Sequence, residues 1–144
     1  MRVTSIIGKK GHRKIEIIPI AIGLVYIWFG ALKFFPGLSP AENLAIGTIH
    51  ELTFHVFSDQ LALILLAIWE VSIGIFLLTN LFKKPALYLA LLHILLTFTP
   101  FVFFPDLVFT EAPFGLTLVG QYIVKNLIIL GILVVLIKQG KIHQ

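Results

Sequence analysis

Residues 61–80 are LALILLAIWEVSIGIFLLTN, an apolar run with one charged side chain, Glu70, at its centre. A run of about 20 apolar residues is long enough for a helix to cross the roughly 30 Å hydrocarbon core of a bilayer. A carboxylate at that depth is costly, so it faces partners inside a helix bundle and by default marks a functional site. Both the fold and the candidate site are therefore organised around Glu70.

The composition is that of an integral membrane protein. The 144 residues are 58% hydrophobic and 12% charged, with a mean hydropathy of +1.02, far from the values of a soluble domain. Four apolar runs are predicted to span the membrane, at about 15–35, 61–80, 85–104 and 118–137. These runs lack the alternation of apolar and polar residues that is typical of membrane β-barrel strands. We therefore expect an all-α protein, an antiparallel bundle of four transmembrane helices.

The charge distribution predicts the topology. Outside the predicted spans, lysine and arginine lie in a tail at 1–14, in the turn at 83–84 and in a tail at 138–144, whereas the other two connections carry only acidic charges. By the positive-inside rule we expect both termini to be cytoplasmic. No cleavage site follows the basic segment, so we expect the first helix to be retained. Anionic lipid headgroups account for the basic tails, and no nucleic-acid partner is expected.

A short helix is predicted between the first two spans. The sequence of residues 39–42, Ser-Pro-Ala-Glu, fits a capping box with proline at the first helical position. A helix at about 40–52 is too short and polar to span. It is expected to lie in the outer interface as a candidate lid, with Ala45, Ile49 and Leu52 facing the bundle.

Each span carries small or polar residues at helical spacing on one face, which we expect to point inward. These faces are Gly23, Tyr26, Gly30 and Lys33; Leu63, Ala67, Glu70, Gly74 and Leu77; Ala86, Ala90, His93, Thr97 and Pro100; and Gln121 with Lys125, next to Tyr122 with Asn126. Depth along the helices favours Lys125 as the partner of Glu70 and leaves Lys33 at the rim. The predicted inward cluster, opening to the outside, is Lys33, Glu70, His93, Thr97, Gln121, Lys125 and Asn126.

Pro100, preceded by Thr99, predicts a kink near the outer end of the third span, with hydroxyl groups satisfying the freed carbonyls. The segment at 101–114 is expected to be irregular. The aromatic residues between Phe98 and Phe114 either line a channel for a quinone tail or, more commonly, form an aromatic belt at the interface.

The sequence gives little support for a metal site or for thiol chemistry. The chain has no cysteine, which excludes disulfides and thiolate sites, so electron transfer would need a bound cofactor. His93 is the one histidine within a predicted span, which excludes a haem held by two histidines; we expect it to bond Thr97 or Glu70. His50 and His55 are five residues apart rather than four, which places them on different helical faces, and no metal site is predicted.

Four short motifs, one per span, carry a resemblance to a known family. They are WFGALKF at 28–34, WEVSIG at 69–74, TP at 99–100 and GQYIVKNL at 120–127. In this order they resemble the DoxX-like superfamily, closest to the uncharacterised bacterial branches that include the reactive-chlorine-resistance membrane protein RclC. The resemblance implies a four-helix inner-membrane protein whose recurrent charged positions match Lys33, Glu70 and Lys125. Some members are subunits of thiosulfate:quinone oxidoreductases or terminal quinol oxidases, and others are oxidative-stress components. The soluble or periplasmic subunit that thiosulfate oxidation requires is not part of this chain, so the resemblance does not assign that reaction.

These residues support a hypothesis of a redox-linked, quinone-interacting subunit with membrane or periplasmic partners, in a homo- or hetero-oligomer. Glu70 and Lys125 would form a proton relay or quinone headgroup site, or else a structural ion pair. Lys33 beside Trp28 would bind an oxyanion or act as a snorkelling anchor. The ligand-binding candidates are Lys33, Trp28, His93, Thr97, Gln121, Tyr122 and Asn126. The alternative is a non-catalytic accessory subunit, and a small transporter fits less well because four short helices enclose little volume. The sequence does not distinguish an enzyme from an accessory subunit.

Overall fold

The computed structural model describes residues 17–142, with side chains to residue 139. Of the described residues, 76% are helical. The elements in order are α1 Ile17–Leu32, α2 Glu42–Thr53, α3 Asp59–Thr79, α4 Lys83–Leu96, α5 Pro100–Phe103, α6 Pro105–Val108, β1 Phe109–Glu111, β2 Gly115–Leu116 and α7 Leu118–Ile142. The predicted tail at 1–14 lies outside the described residues.

Among residues 17–142, three helical segments are long and apolar enough to cross a membrane, judged by length and composition. They are Asp59–Thr79, Lys83–Phe103 and Leu118–Gln139. The apolar helix α1 has 16 described residues, and the predicted start of its span at 15 lies outside the described range. The residues at 138–142, predicted to belong to a tail, continue α7 as helix. These helices support an all-α membrane protein.

The long helices are arranged so that α1 packs along α3, α3 beside α4, and α4 beside α7. The inward faces predicted for the first three spans are confirmed, because their small and apolar members are buried. All four helices contribute to one core of Ile22, Tyr26, Ile73, Leu77, Ala86, Leu87, Ala90, Ile94 and Leu133. The face predicted for α7 is wrong except at Asn126, which is half-buried. Ile123 and Leu133 are buried there, whereas Gln121 and Lys125 are exposed.

Glycines allow α1 and α3 to approach closely. A Cβ atom on Gly74 would lie 2.7 Å from the carbonyl oxygen of Gly23 and 2.9 Å from the backbone nitrogen of Ile27. A Cβ atom on Gly30 would lie 2.9 Å from the Cβ of Glu70. Small residues at such a crossing let two helix backbones touch. Glu70 is therefore held directly against α1.

The predicted kink at Pro100 is confirmed. Helix α4 ends at Leu96 and α5 begins at Pro100. Proline has no N–H to donate to the carbonyl four residues earlier, which is that of Leu96. Thr99 supplies the missing donors, since its N–H and its Oγ1 lie 3.1 and 2.7 Å from the Leu96 oxygen. The outer end of α4 thus turns without leaving this carbonyl unpaired.

Two local predictions are wrong. The capping box does not form, because α2 begins at Glu42 after the left-handed residue Ala41, with no side-chain cap. The Glu42 carboxylate instead accepts the N–H of Gly37 at 2.9 Å. The residues at 101–114 are not irregular either. They form most of α5, all of α6 and strand β1, which pairs with β2 in a short antiparallel hairpin beside the helices.

We expect Gly74→Ala to lower the free energy of unfolding by about 1–3 kcal/mol, because the added methyl group has no room against α1. Gly131→Ala is the matched control, since a Cβ there would meet nothing within 4 Å, and alanine is the better helix former. Unfolding in detergent, followed by far-UV circular dichroism, measures both variants. Equal stability of the two would contradict the close α1–α3 contact.

Candidate functional site

A cluster of buried charged and polar side chains joins α1, α3 and α4. The Nζ atom of Lys33 lies 2.7 Å from Oε2 of Glu70, and the two side chains are 10% and 7% exposed. The Nε2 atom of His93 lies 3.1 Å from the other carboxylate oxygen, Oε1. Each oxygen of Glu70 therefore has its own partner. The expected bond between His93 and Glu70 is confirmed.

The cluster continues from His93 to Tyr26. The hydroxyl of Tyr26 lies 3.0 Å from Nδ1 of His93 and 3.3 Å from the carbonyl oxygen of Ala90. An ionised carboxylate only accepts hydrogen bonds, so Nε2 of His93 carries the proton shared with Glu70. Nδ1 then accepts from Tyr26 when the imidazole is neutral. Tyr26, His93 and Glu70 thus form a continuous hydrogen-bonded path between three helices.

A cavity of about 460 Å³ lies between this cluster and α2. Ala45, Ile49 and Leu52 line it, which confirms the predicted downward face of α2. Helix α3 contributes Ala62, Leu65, Leu66, Trp69 and Glu70 to the wall. Most of the lining is apolar, and Lys33, Glu70 and His93 form a polar patch in it.

Trp69 lines the same cavity and was not a predicted site residue. Its ring meets that of His93 edge-on, with centroids 5.9 Å apart. Its indole Nε1 is buried and has no hydrogen-bond partner among the described residues. The sequence feature that could have indicated Trp69 as a site residue is its position directly before Glu70.

The predicted pairing of Glu70 with Lys125 is wrong. Lys125 is exposed, and its Nζ lies 5.0 Å from the centroid of the Tyr122 ring. Helix α7 packs mainly on α4 and turns this face away from Glu70. Lys33 instead follows the last residue of α1, and its Nζ bends back to the Phe29 carbonyl oxygen at 3.3 Å. That position brings the ammonium group to Glu70.

Of the remaining candidate residues, some lie at the cavity and others are exposed away from it. Thr97 lines the cavity and accepts a hydrogen bond from Nδ2 of Asn126 at 3.0 Å, so Asn126 supports the wall. Gln121 and Tyr122 are exposed, as is Trp28 at 70%, and none of the three lines the cavity. Of the residues at 98–114, Pro100 alone contributes to the lining, so the aromatic side chains there do not line this cavity.

The two histidines of the outer segment lie closer than helix geometry predicts. Their ring centroids are 5.1 Å apart, because α2 ends at Thr53 and the left-handed residues Phe54 and His55 reverse the chain. His50 Nε2 also lies 3.2 Å from Oδ1 of Asp59, at the start of α3. Within residues 17–142, no group of three or more potential metal ligands was found.

Comparisons with protein-family models, with curated proteins and with solved structures found no match. The assignment of a function consequently depends on the site itself.

We expect Lys33→Gln to lower the free energy of unfolding by about 3 kcal/mol, because it leaves a buried carboxylate without its cation. Lys125→Gln removes the same charge from an exposed position and is expected to change stability little. Adding Glu70→Gln to Lys33→Gln should restore much of the loss. Thermal unfolding in one detergent compares all four proteins, and a larger effect of Lys125→Gln than of Lys33→Gln would contradict the observed pairing.

Proposed function

We propose that this protein is a redox-linked inner-membrane subunit that binds a quinone headgroup in the cavity under α2. The observation that carries the proposal is a largely apolar cavity lined in one patch by a buried carboxylate, an ammonium group and an imidazole. Its volume of about 460 Å³ falls in the usual range for small-molecule sites, roughly 300–1,000 Å³. An apolar ring with polar oxygens fits such a lining.

The residues divide the chemistry of that ligand between them. Glu70 accepts the proton of a quinol hydroxyl, and Lys33 compensates the negative charge that develops on the ring oxygen. His93 and Tyr26 continue the hydrogen-bonded path away from the cavity. The electrons go to a redox centre in a partner subunit, which is why we include a membrane or periplasmic partner in the proposal.

The membrane setting forms part of the same proposal. Helix α1, apolar and packed in the bundle, supports a fourth span beside the three long segments. The lysines at 83–84 and 138–141 favour cytoplasmic termini. The four motifs in order support membership of the DoxX-like superfamily, with its links to quinone chemistry and oxidative-stress defence.

A second candidate is a non-catalytic accessory subunit in which Lys33 and Glu70 only hold the bundle together. One observation favours it, since both oxygens of Glu70 already have protein partners. The two proposals differ in whether the cavity binds a quinone at all.

Tryptophan fluorescence provides the test, because Trp69 lines the cavity and Trp28 is 70% exposed. In lipid nanodiscs, decylubiquinone is expected to quench the Trp28→Phe protein, which keeps Trp69, with a saturable component. The Trp69→Phe protein, which keeps Trp28, should show only the linear quenching of quinone dissolved in lipid. Adding Glu70→Gln to Trp28→Phe should weaken the saturable component about tenfold, the loss of one charge-assisted hydrogen bond. Linear quenching of both single-tryptophan proteins would favour the accessory subunit.

Filling the cavity from α2 tests the location without touching the charged cluster. We expect Ala45→Phe to remove the saturable quenching of Trp69, because the larger ring occupies the space under α2. Leu127→Phe on the exposed side of α7 is the control and should leave it unchanged. Saturable quenching that survives Ala45→Phe would place the quinone elsewhere.

A further inference from the structure

The hydroxyl of Tyr26 has one proton and two acceptors within reach. It lies 3.0 Å from Nδ1 of His93 and 3.3 Å from the carbonyl oxygen of Ala90. A phenolic hydroxyl donates one hydrogen bond and also accepts, and a backbone carbonyl oxygen has two lone pairs. Ala90 can therefore take the proton of Tyr26 in addition to a helical bond. The hydroxyl donates either to His93 or to Ala90.

The protonation state of the cluster decides which acceptor Tyr26 uses. With Glu70 ionised and His93 neutral, the imidazole proton lies on Nε2, 3.1 Å from Oε1 of Glu70. Nδ1 then carries no proton and is an acceptor, so Tyr26 donates to it. Lys33 neutralises the carboxylate at 2.7 Å in this arrangement.

One further proton on the Glu70–His93 pair reverses the bond to Tyr26. Oε2 of Glu70 faces the ammonium group of Lys33, which only donates, so the proton does not belong there. It lies either on His93 as an imidazolium or on Oε1 of Glu70, with the imidazole in its other tautomer. Nδ1 carries a proton in both cases. The oxygen of Tyr26 then accepts that proton, and its own proton goes to Ala90.

Burial makes this second acceptor necessary. Tyr26 is 5% exposed and the side chain of His93 is 13% exposed, so bulk water is largely excluded. A buried N–H without an acceptor is strongly disfavoured, and more so when it belongs to a charged group. The carbonyl of Ala90 thus allows the pair to take up a proton while every hydrogen bond in the cluster is kept.

We infer that Tyr26 is a positioning residue for proton transfer, because its hydroxyl turns from His93 to Ala90 when the Glu70–His93 pair accepts a proton from the ligand. This inference deepens the proposed function and rests on it. In the step, the O–H bond of the ligand breaks and an O–H bond to Glu70 or an N–H bond to His93 forms. The electron pair stays on the ligand oxygen, whose negative charge Lys33 compensates.

A coloured phenol tests the proton transfer directly. The probe is 2,6-dimethyl-4-nitrophenol, which absorbs visible light when it is ionised and very little when it is protonated. It is added to protein in lipid nanodiscs at a pH below the probe's own pKa, where the free probe stays protonated. Equilibrium dialysis against empty nanodiscs gives the total bound probe, and the absorbance gives the bound phenolate. Bound phenolate therefore reports a proton passed to the protein.

Tyr26→Phe keeps the aromatic ring and removes the hydroxyl. We expect the ratio of bound phenolate to bound phenol to fall about tenfold, the loss of one hydrogen bond in the proton-loaded cluster. Binding of 2,3-dimethyl-1,4-naphthoquinone, which has no proton to give, should change less than about twofold. Tyr88→Phe, at a tyrosine that is 41% exposed, is the matched control and should leave both unchanged. Ala45→Phe, which fills the cavity, should remove the bound phenolate.

Infrared spectroscopy follows the hydroxyl itself and does not depend on the folding of Tyr26→Phe. The chain has three tyrosines, so the double variant Tyr88→Phe/Tyr122→Phe keeps Tyr26 alone. With isotope-labelled tyrosine, the C–O stretching band distinguishes a hydroxyl that donates to an imidazole from one that accepts from an N–H. The nitrophenol should shift this band, whereas the naphthoquinone should not.

The results that would overturn the inference differ from those that would overturn the proposed function. An unchanged phenolate ratio in Tyr26→Phe, an unmoved Tyr26 band or binding of the probe only as neutral phenol contradicts the inference while the quinone site stands. Equal losses of phenolate ratio and naphthoquinone binding assign Tyr26 a packing role. Absence of saturable binding of both probes to the unmodified protein removes the proposed function and this inference together.

Discussion

The structure depends on the need to neutralise one carboxylate inside an apolar bundle. Glu70 is 6% exposed, and leaving such a charge unpaired is more costly than most single contacts in a protein can offset. The groups that pair with its two oxygens come from different parts of the bundle, since Lys33 follows α1 and His93 belongs to α4. A single side chain of α3 therefore fixes how its two neighbours are placed around it.

That constraint explains the glycines of α1 and α3. A lysine at the end of α1 reaches Glu70 at 2.7 Å only because the two backbones are in contact, and Gly30 lies opposite the Cβ of Glu70. On the other side, Ala86 and Ala90 are fully buried and bring α4 close enough for His93 to reach the carboxylate. The small residues allow the ion pair to form, because they set the distance between the helices that carry the charged groups.

The sequence pattern predicts the parts of this arrangement that depend on periodicity. Glu70 and Gly74 lie on one stripe of α3, and Pro100 interrupts α4, because spacing and proline chemistry are local properties. The partner of Glu70 depends on how the helices are ordered. Counting residues from the membrane surface gives the depth of Lys125 but not the direction in which α7 turns it. The packing of α7 on α4 turns Lys125 away, and no pattern within α7 indicates that contact. The predicted separation of His50 and His55 is wrong for a related reason, since it assumed a continuous helix and α2 ends at Thr53.

The volume of the cavity bears on whether the cluster is only structural. The cavity of about 460 Å³ is partly open to the surface of the bundle, and apolar walls left bare there would lose packing contacts. The space is therefore filled in the membrane, either by a lipid chain or by a ligand. An acyl chain offers no polar group to Lys33, which lines the cavity. Under the proposed function, a ring that carries oxygen would offer a polar group to Lys33 and would be favoured over lipid at this site.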